Sequence, residues 1–214
     1  MTNSGLHPVD SLWPRDVAHL TWDKKTARRK ILSTRDALSA ESRRKKSAEF
    51  RKHLQSFLEQ GPFPLSSSKV LTLSLFLPFG SEIDTAPFLP SLFGKGYRIL
   101  LPALAFSDEL TLLPWSAEIS LRPGPFGILE PRTGNPVPPE EVDLFLVPGV
   151  GFDPRGHRLG YGRGYFDRLL SPPGVKGFRV GLSFSEQVVH HIPTTERDVS
   201  MNWIVSDKGS FPCD

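Results

Sequence analysis

The chain is 214 residues long, carries a formal net charge of +3 and contains one cysteine. This length suits one domain with its own hydrophobic core, and the single Cys213 excludes an internal disulfide framework and a cysteine metal site. The sequence has no long apolar run, and no basic start followed by an apolar core, so it predicts neither a membrane span nor a secretion signal. We therefore expect a cytoplasmic protein.

The charge is distributed unevenly. Residues 21–52 hold twelve Lys or Arg and four acids, a net +8, which leaves −5 for the rest of the chain. Such a segment attracts polyanions, including nucleic acids and nucleotides. The alternative is a pair of helix faces with solvated basic side chains, and we expect the run at residues 43–46 to face solvent.

The N-terminal stretch divides into an extension and a helix. Residues 1–20 contain two prolines and few periodic apolar positions, so we expect an irregular extension ahead of a domain at residues 21–214. Thr21 is a good N-cap for a first helix that reaches about Ala37. The apolar positions that form the buried stripe of this helix are Ala27, Ile31 and Leu38.

Two cations lie at the edge of this stripe. Lys24 and Arg28 are one helical turn apart and fall side by side next to the buried face. From there, both can reach a ligand that the core holds. Lys25 and Arg29 have the same spacing, so the choice between the two pairs stays open.

The next part of the chain predicts a helix and then a strand, a helix and a strand. Ser39 can cap a second helix that reaches Gln60. KVLTLSLFLPF predicts a strand at residues 69–79, a helix follows between Thr85 and Gly96, and YRILLP predicts the next strand. This order favours a parallel sheet with helices on its faces.

An acidic residue follows the first of these strands. Glu82 lies in the segment SEIDT, and open α/β sheets commonly place ligand contacts at such strand ends. A carboxylate there can accept two parallel N–H bonds from a flat heterocycle. The alternative is an exposed acid, or a charge at a helix N-terminus.

The C-terminal half continues the strand pattern. Leu144 to Val147 form a continuous apolar run, which is typical of a strand buried on both faces. We further expect strands at residues 109–115, 178–184 and 201–206, of which the last ends the sheet, a short helix at 185–191, and a long ordered loop at 122–139.

A glycine-rich loop follows the buried strand. Gly160, Gly162 and Gly164 alternate with other residues, and glycine lets backbone N–H groups approach a ligand closely. Arg158 and Arg163 can neutralise phosphate oxygens beside those N–H groups. The loop matches neither G-x-x-x-x-G-K-[ST] nor G-x-G-x-x-G, so the two common nucleotide motifs are excluded.

A carboxylate stands immediately beyond this loop. Asp167 would repel phosphate unless a cation lay between them. Mg²⁺ is the natural candidate, because proteins typically hold it by one or two carboxylates together with the phosphates of a nucleotide. The histidines show no H-E-x-x-H pattern, so zinc chemistry has no support.

The stretch VPGVGFDPRGHRLGYGRGYFDRLL, residues 147–170, resembles the signature of the 5-formyltetrahydrofolate cyclo-ligase family, whose usual form is close to PGxxFdxxGxRLGyGkGyYDr. Two positions depart from it: Arg163 stands where lysine is commoner, and Phe166 where tyrosine is commoner. The segments SEIDT and GILEP also match, so the resemblance covers roughly residues 22–206.

The resemblance implies a single-domain α/β fold, a three-layer αβα sandwich with a mainly parallel sheet. It also implies ATP-dependent cyclisation of 5-formyltetrahydrofolate to 5,10-methenyltetrahydrofolate, with ADP and phosphate as further products. Arg158 and Arg163 are the implied catalytic residues, and Asp167 and Asp198 the implied Mg²⁺ ligands. ATP contacts are implied for Lys24, Arg28, Arg158, Leu159, Gly160, Tyr161, Gly162, Arg163, Gly164, Tyr165 and Phe166, and folate contacts for Leu77, Glu82, Tyr161 and Tyr165.

Two other functions stay open at this point. The chain could be a relative in the same family that acts on another acylated cofactor, or a noncatalytic RNA-binding module that uses the basic segment. Against the second, the aromatic residues of the glycine loop do not form the sheet-face pattern of single-strand binding domains. We expect a monomer that binds reduced folate and MgATP, without nucleic-acid or membrane partners.

Overall fold

The computed structural model describes residues 22–62 and 70–214, so the predicted extension at residues 1–20 and the Thr21 cap lie outside the described residues. The elements in chain order are α1 (Lys24–Asp36), α2 (Ala40–Gln60), β1 (Thr72–Leu75), α3 (Phe88–Gly94), β2 (Arg98–Leu104), β3 (Leu110–Trp115), β4 (Leu121–Pro123), β5 (Leu129–Pro131), β6 (Leu144–Pro148), β7 (Gly151–Phe152), β8 (Arg158–Leu159), α4 (Tyr165–Leu170), β9 (Phe178–Leu182), β10 (Trp203–Ser206) and β11 (Gly209–Pro212).

Seven of these strands form the central sheet in the order β11-β10-β9-β6-β1-β2-β3. The five inner strands run parallel to one another, while β3 and β11 pair antiparallel at the two edges. A parallel sheet needs a covered surface on both sides, which is why its inner strands are almost continuously apolar. The predicted strand at residues 144–147 is the centre of this sheet and is buried, as expected.

Side chains alternate along each strand, so the apolar strands of the sheet present apolar side chains on both faces. Helices pack against both of these faces. On one face, Leu144 and Leu146 belong to a core cluster that includes the apolar sides of α2 and α3. On the other face, Phe145 and Val147 pack in a second cluster with Leu169 of α4. The predicted three-layer αβα fold with a mainly parallel sheet is thereby confirmed.

Local capping sets the ends of the first two helices. The Asp23 carboxylate accepts a hydrogen bond from the Thr26 N–H at 2.8 Å, so the N-cap of α1 lies at Asp23, two residues beyond the predicted cap. Ser39 caps α2, which ends at Gln60 as expected. Among the helices of residues 22–62 and 70–214, none combines the length and the apolar character that a bilayer crossing needs.

Three predictions of local structure were wrong. Residues 185–191 contain only a 3₁₀ turn, because the Gln187 side chain donates to the Gly149 and Val150 carbonyls and draws the segment away from a helix. Residues 122–139 are not simply a loop, since β4 and β5 pair there as a small hairpin. Residues 201–206 do not end the sheet, because β11 pairs beyond them.

The basic run at residues 43–46 also departs from expectation. Lys46 is not solvated but forms ion pairs with Asp207 at 2.7 Å and Glu186 at 2.8 Å. These contacts tie α2 to the turn between β10 and β11 and to the 3₁₀ turn after β9. At least Lys46 of the basic segment therefore stabilises the packing of α2 on the sheet instead of facing solvent.

Candidate functional site

The glycine loop connects β8 to α4 at the carboxyl end of the central strand β6. Gly162 and Gly164 have φ values of 104° and 68°, which side chains other than glycine rarely adopt. A Cβ at Gly162 would also lie 3.4 Å from the guanidinium of Arg28. The sequence thus needs glycine at position 162 for the turn, while the neighbouring Arg28 side chain would be in ordinary van der Waals contact with a Cβ there.

A cavity of about 530 Å³ opens at this loop. One end is polar and is formed by the loop, by the start of α1 and by the segment that contains Asp198. A further part of the lining contains Glu82 and apolar side chains, which include Phe76, Leu77, Leu104, Leu110, Phe126 and Ile128; of these, Phe126 lies beside Arg163 of the loop. Every residue that the sequence placed in the site lies on the lining of this one cavity.

The two cations of α1 face the polar end. Arg28 Nε donates to the Gly160 carbonyl at 2.8 Å, and the Lys24 ammonium donates to the Asp198 carboxylate. Lys25 and Arg29, by contrast, are exposed. Between the two open choices of register, the structure brings Lys24 and Arg28 to the cavity.

The Lys24 partner has an altered acidity. Burial by itself raises the pKa of Asp198, but hydrogen bonds from Lys24 and from the Thr195 N–H outweigh it and hold that pKa below its ordinary value. Asp198 is therefore ionised at neutral pH, as a metal ligand must be.

A second ion pair lies beside the first. Arg158 is buried, and its Nη2 donates to Asp167 Oδ1 at 2.8 Å. The same oxygen accepts the Val199 N–H at 3.3 Å, so Asp167 and Asp198 are neighbours in the cavity wall. Arg158 Nε is buried without a hydrogen-bond partner among the described residues, and a bound anion would supply one.

Arg163 differs from these cations. It is exposed, its guanidinium lies 5.9 Å from the centre of the Phe126 ring, and it has no carboxylate partner within residues 22–62 and 70–214. Its backbone carbonyl is fixed by a hydrogen bond from Arg168 at 2.8 Å. The loop thus presents one uncompensated positive charge to the cavity.

The apolar end contains a prearranged carboxylate. Glu82 Oε2 accepts the Phe79 N–H at 2.9 Å, and Oε1 accepts the Tyr161 hydroxyl at 3.0 Å. Removal from water raises the pKa of Glu82, while these two hydrogen bonds and the nearby Arg35 oppose that rise. Burial also raises the pKa of the Tyr161 hydroxyl, which therefore stays protonated and able to donate.

Tyr165 is held from the opposite side. Its hydroxyl donates to Asp108 at 2.6 Å, and Arg168 Nη2 donates to the Asp108 carbonyl at 3.3 Å. The turn between β2 and β3 is therefore bonded to α4, which fixes the Tyr165 ring beside the cavity.

Two residues near the site were missed from the sequence. Arg35 lies one turn beyond Ile31 on the buried stripe of α1, and a charged residue on such a stripe was the available signal. Glu130 lies in the GILEP segment, is buried and lines the cavity, and its burial raises its pKa. Its carboxylate packs so closely on Gly124 that a Cβ there would meet it at 2.2 Å.

The cavity's donor set fits Mg²⁺ only in part. Among the described residues, no group of three His, Cys, Asp or Glu side chains could hold a metal ion by itself. Asp167 and Asp198 nevertheless adjoin each other, and Asp167 Oδ2 has no hydrogen-bond partner in the described part of the chain. Two carboxylates beside a phosphate site match the way proteins hold Mg²⁺ together with a nucleotide.

Comparison with known proteins gives a consistent result. The model of the 5-formyltetrahydrofolate cyclo-ligase family matches residues 21–207. The 5-formyltetrahydrofolate cyclo-ligase of Haemophilus influenzae is 30% identical over 186 residues, which are 85% of this chain and 96% of that protein. The NMR structure of Aquifex aeolicus 5,10-methenyltetrahydrofolate synthetase is 36% identical and covers 88% of this chain and 92% of its own, with a TM-score of 0.75.

Proposed function

Because this chain belongs to the 5-formyltetrahydrofolate cyclo-ligase family, we propose that it closes the ring of 5-formyltetrahydrofolate with ATP, giving 5,10-methenyltetrahydrofolate, ADP and phosphate. The observation that carries this is one cavity with a phosphate-type loop at one end and a carboxylate with apolar walls at the other. Its volume of about 530 Å³ lies within the range of small-molecule sites.

The reaction needs little covalent chemistry from the protein. The γ-phosphoryl group of ATP passes to the formyl oxygen, which converts a poor leaving group into phosphate. N10 of the folate then attacks the formyl carbon and loses its proton, and phosphate departs with the former formyl oxygen. The protein's share is to position both reactants and to neutralise charge.

The polar end supplies the phosphate contacts. We propose that Arg158, the loop N–H groups, Lys24 and Arg28 hold the nucleotide, and that Arg163 meets the transferring phosphoryl group. Arg163 suits this step because no carboxylate has to be displaced from it first. The buried and unpartnered Nε of Arg158 likewise favours a bound anion.

We propose Asp167 and Asp198 as the side chains that hold Mg²⁺ beside those phosphates. When bound, the ion supplies charge neutralisation at the phosphate oxygens. The pair that Lys24 forms with Asp198 means that Lys24 changes partner as the nucleotide enters. Lys24 can then turn to phosphate.

The other end suits the pterin ring. Glu82 can accept two parallel N–H bonds from the aminopyrimidinone edge, since its oxygens keep acceptor capacity beyond the Phe79 and Tyr161 hydrogen bonds. Leu77 and the aromatic rings of Tyr161 and Tyr165 line the same cavity as Glu82. The flat ring would be packed on these side chains.

Neither alternative function gains support from the comparisons. The inward position of Lys24, Arg28 and Lys46 reduces the basic surface that an RNA-binding module would use. We propose a cytoplasmic monomer that acts on small molecules. Light scattering of the purified protein tests the monomer, because a mass near 48 kDa, twice the chain mass of 23.8 kDa, would contradict it.

One assay tests the proposed activity. The protein is mixed with 5-formyltetrahydrofolate and MgATP, and the near-ultraviolet absorption band of the methenyl product is followed. We expect the band to grow only when ATP is present. Binding of ATP without any product from 5-formyltetrahydrofolate would contradict the assignment and favour a relative with another acylated substrate.

A further inference from the structure

A buried cation lies behind Glu82, outside the cavity lining. Arg35 is 3% exposed and belongs to the last turn of α1. Its Nη2 donates to the Tyr161 hydroxyl at 3.0 Å, and its Nε donates to Ser81 Oγ at 2.9 Å. Its Nη1 is buried with no hydrogen-bond partner among the described residues.

Stability alone does not account for an arginine at this position. Ala27 and Ile31 precede it on the same buried stripe, where an apolar side chain would continue the packing without desolvating a charge. An unpaired buried donor adds a further cost. Within residues 22–62 and 70–214, the one acidic side chain in ion-pair range is Asp36 at 3.8 Å, which is exposed.

The contacts of Arg35 fix the direction of a hydrogen-bond relay. A tyrosine hydroxyl has one proton to donate and can accept as well. Because Arg35 can only donate, it takes the acceptor position on Tyr161, so the hydroxyl proton is directed to Glu82 at 3.0 Å. Glu82 then receives donors on both oxygens and has no need of a proton of its own.

We propose that Arg35 is a positioning residue for substrate recognition: through Tyr161 it holds Glu82 ionised and oriented to accept the N–H groups of the reduced folate. This inference rests on the function proposed above and adds a residue that never touches the substrate. Arg35 acts from α1, the same helix that carries Lys24 and Arg28 to the nucleotide end.

The surroundings of Glu82 give the expected pH dependence. Arg35 faces it from α1, and Tyr161 from the glycine loop. Lys24 and Arg28 of α1 and Glu130 of β5 also line the cavity, and Asp36 accepts a hydrogen bond from Ser81, next to Glu82. Removal from water already raises the pKa of Glu82, and Arg35 counters it. Without Arg35 that pKa rises further, so Glu82 becomes protonated at a higher pH and loses acceptor capacity as pH falls.

The test measures the dissociation constant of 5-formyltetrahydrofolate without ATP, from pH 6 to pH 9, for the wild type, Arg35→Met and Arg35→Lys. Arg35→Met should weaken binding roughly 10-fold at neutral pH, and the loss should shrink as pH rises through the pKa of Glu82. Arg35→Lys should restore most of the affinity, because the charge returns. Arg29→Met, an exposed arginine of the same helix, should change nothing.

A second variant and a second ligand separate positioning from folding. Tyr161→Phe breaks the same relay without removing a buried charge, and should weaken folate binding in the same direction. ATP affinity and the melting temperature should stay unchanged in Arg35→Met. Unchanged folate affinity in both variants would overturn the inference, as would a parallel loss of ATP binding and thermal stability. A wild type that fails to bind 5-formyltetrahydrofolate would instead overturn the proposed function itself.

Discussion

The two ends of the cavity differ in how their charges are compensated. At the nucleotide end, Lys24 and Arg158 each pair with a carboxylate of the same chain, while Arg163 has none in the described part of the chain. At the proposed folate end, both oxygens of Glu82 already accept a hydrogen bond from the chain itself. If the proposed assignment holds, the first end exchanges partners when it binds, whereas the second is preorganised.

This difference predicts that the two ends select their ligands in different ways. Charge exchange lets the nucleotide end respond to phosphate and metal together, since a carboxylate released by a lysine becomes available to a cation. A preorganised carboxylate instead recognises a fixed pattern of N–H donors. A ligand without those donors would leave the buried carboxylate oxygens unpaired, which costs binding free energy. Variants at each end should therefore fail in different assays.

The largest effect is expected at Asp167. Asp167→Asn keeps the size and one acceptor oxygen but removes the charge, so turnover should fall by roughly 100-fold or more, because a preorganised electrostatic group is lost at the transition state. Methenyl product formation measures this. Folate affinity without nucleotide should be nearly unchanged, and Glu49→Gln, an exposed acid on α2, serves as the control. Near-normal turnover in Asp167→Asn would remove Asp167 from the mechanism.

Arg163 tests whether the nucleotide end uses a charge that has no carboxylate partner. It departs from the family pattern, and we propose that it meets the transferring phosphoryl group. Arg163→Met should lower turnover on the order of 100-fold, since developing negative charge then has no partner, whereas Arg163→Lys should retain much of the activity. Steady-state rates with saturating MgATP distinguish the two. Equal activity in the Met and Lys variants would show that the charge of Arg163 is not used.

Glu82 tests the folate end. Glu82→Gln keeps the shape but replaces one acceptor oxygen with a donor NH₂ group, so the KM for 5-formyltetrahydrofolate should rise roughly 30-fold, from the loss of a hydrogen bond to a charged group. The dissociation constant of ATP should stay the same. A variant that weakens ATP instead would mean that the two ends are assigned the wrong way round.

The smallest effects are expected for variants of α1, where the helix register determines which cations reach the cavity. Lys24→Ala and Arg28→Ala should each weaken ATP binding about 10-fold, because each removes a charge-assisted contact to phosphate. Lys25→Ala and Arg29→Ala should do little, since both side chains are exposed. Titration with ATP and Mg²⁺ compares the four variants, and the reverse pattern would contradict the register.

The residues proposed for the nucleotide end were easier to bring together from the sequence than those proposed for the folate end, for a physical reason. Arg158, the three glycines and Asp167 lie within ten consecutive residues, so their proximity follows from chain connectivity. Arg35, in contrast, bonds to Ser81 and Tyr161, which are 46 and 126 positions away along the chain. Helical periodicity predicts that such a residue is buried, but it does not predict which distant side chains it bonds to.

The fold shows the same division. The inner parallel strands were predictable because continuous apolar runs identify strands that are buried on both faces. The β11 strand was missed because a glycine and a proline in four residues resemble an irregular tail, and only pairing with β10 makes it a strand. The helix expected at residues 185–191 failed because Gln187 bonds to distant carbonyls.

Helix α1 carries contacts for both ends, and its rigidity has a consequence for substrate length. Lys24 and Arg35 are eleven positions apart, about 16 Å along the axis at 1.5 Å per residue. On the proposed assignment, this one rigid helix sets the distance between the phosphate contacts and the pterin contacts. Inserting one alanine between Arg28 and Arg35 would turn Arg35 by about 100° about the axis and lengthen that distance by about 1.5 Å. Such an insertion should weaken 5-formyltetrahydrofolate binding as Arg35→Met does, because Arg35 leaves Tyr161, and should also keep the formyl oxygen from reaching the phosphoryl donor.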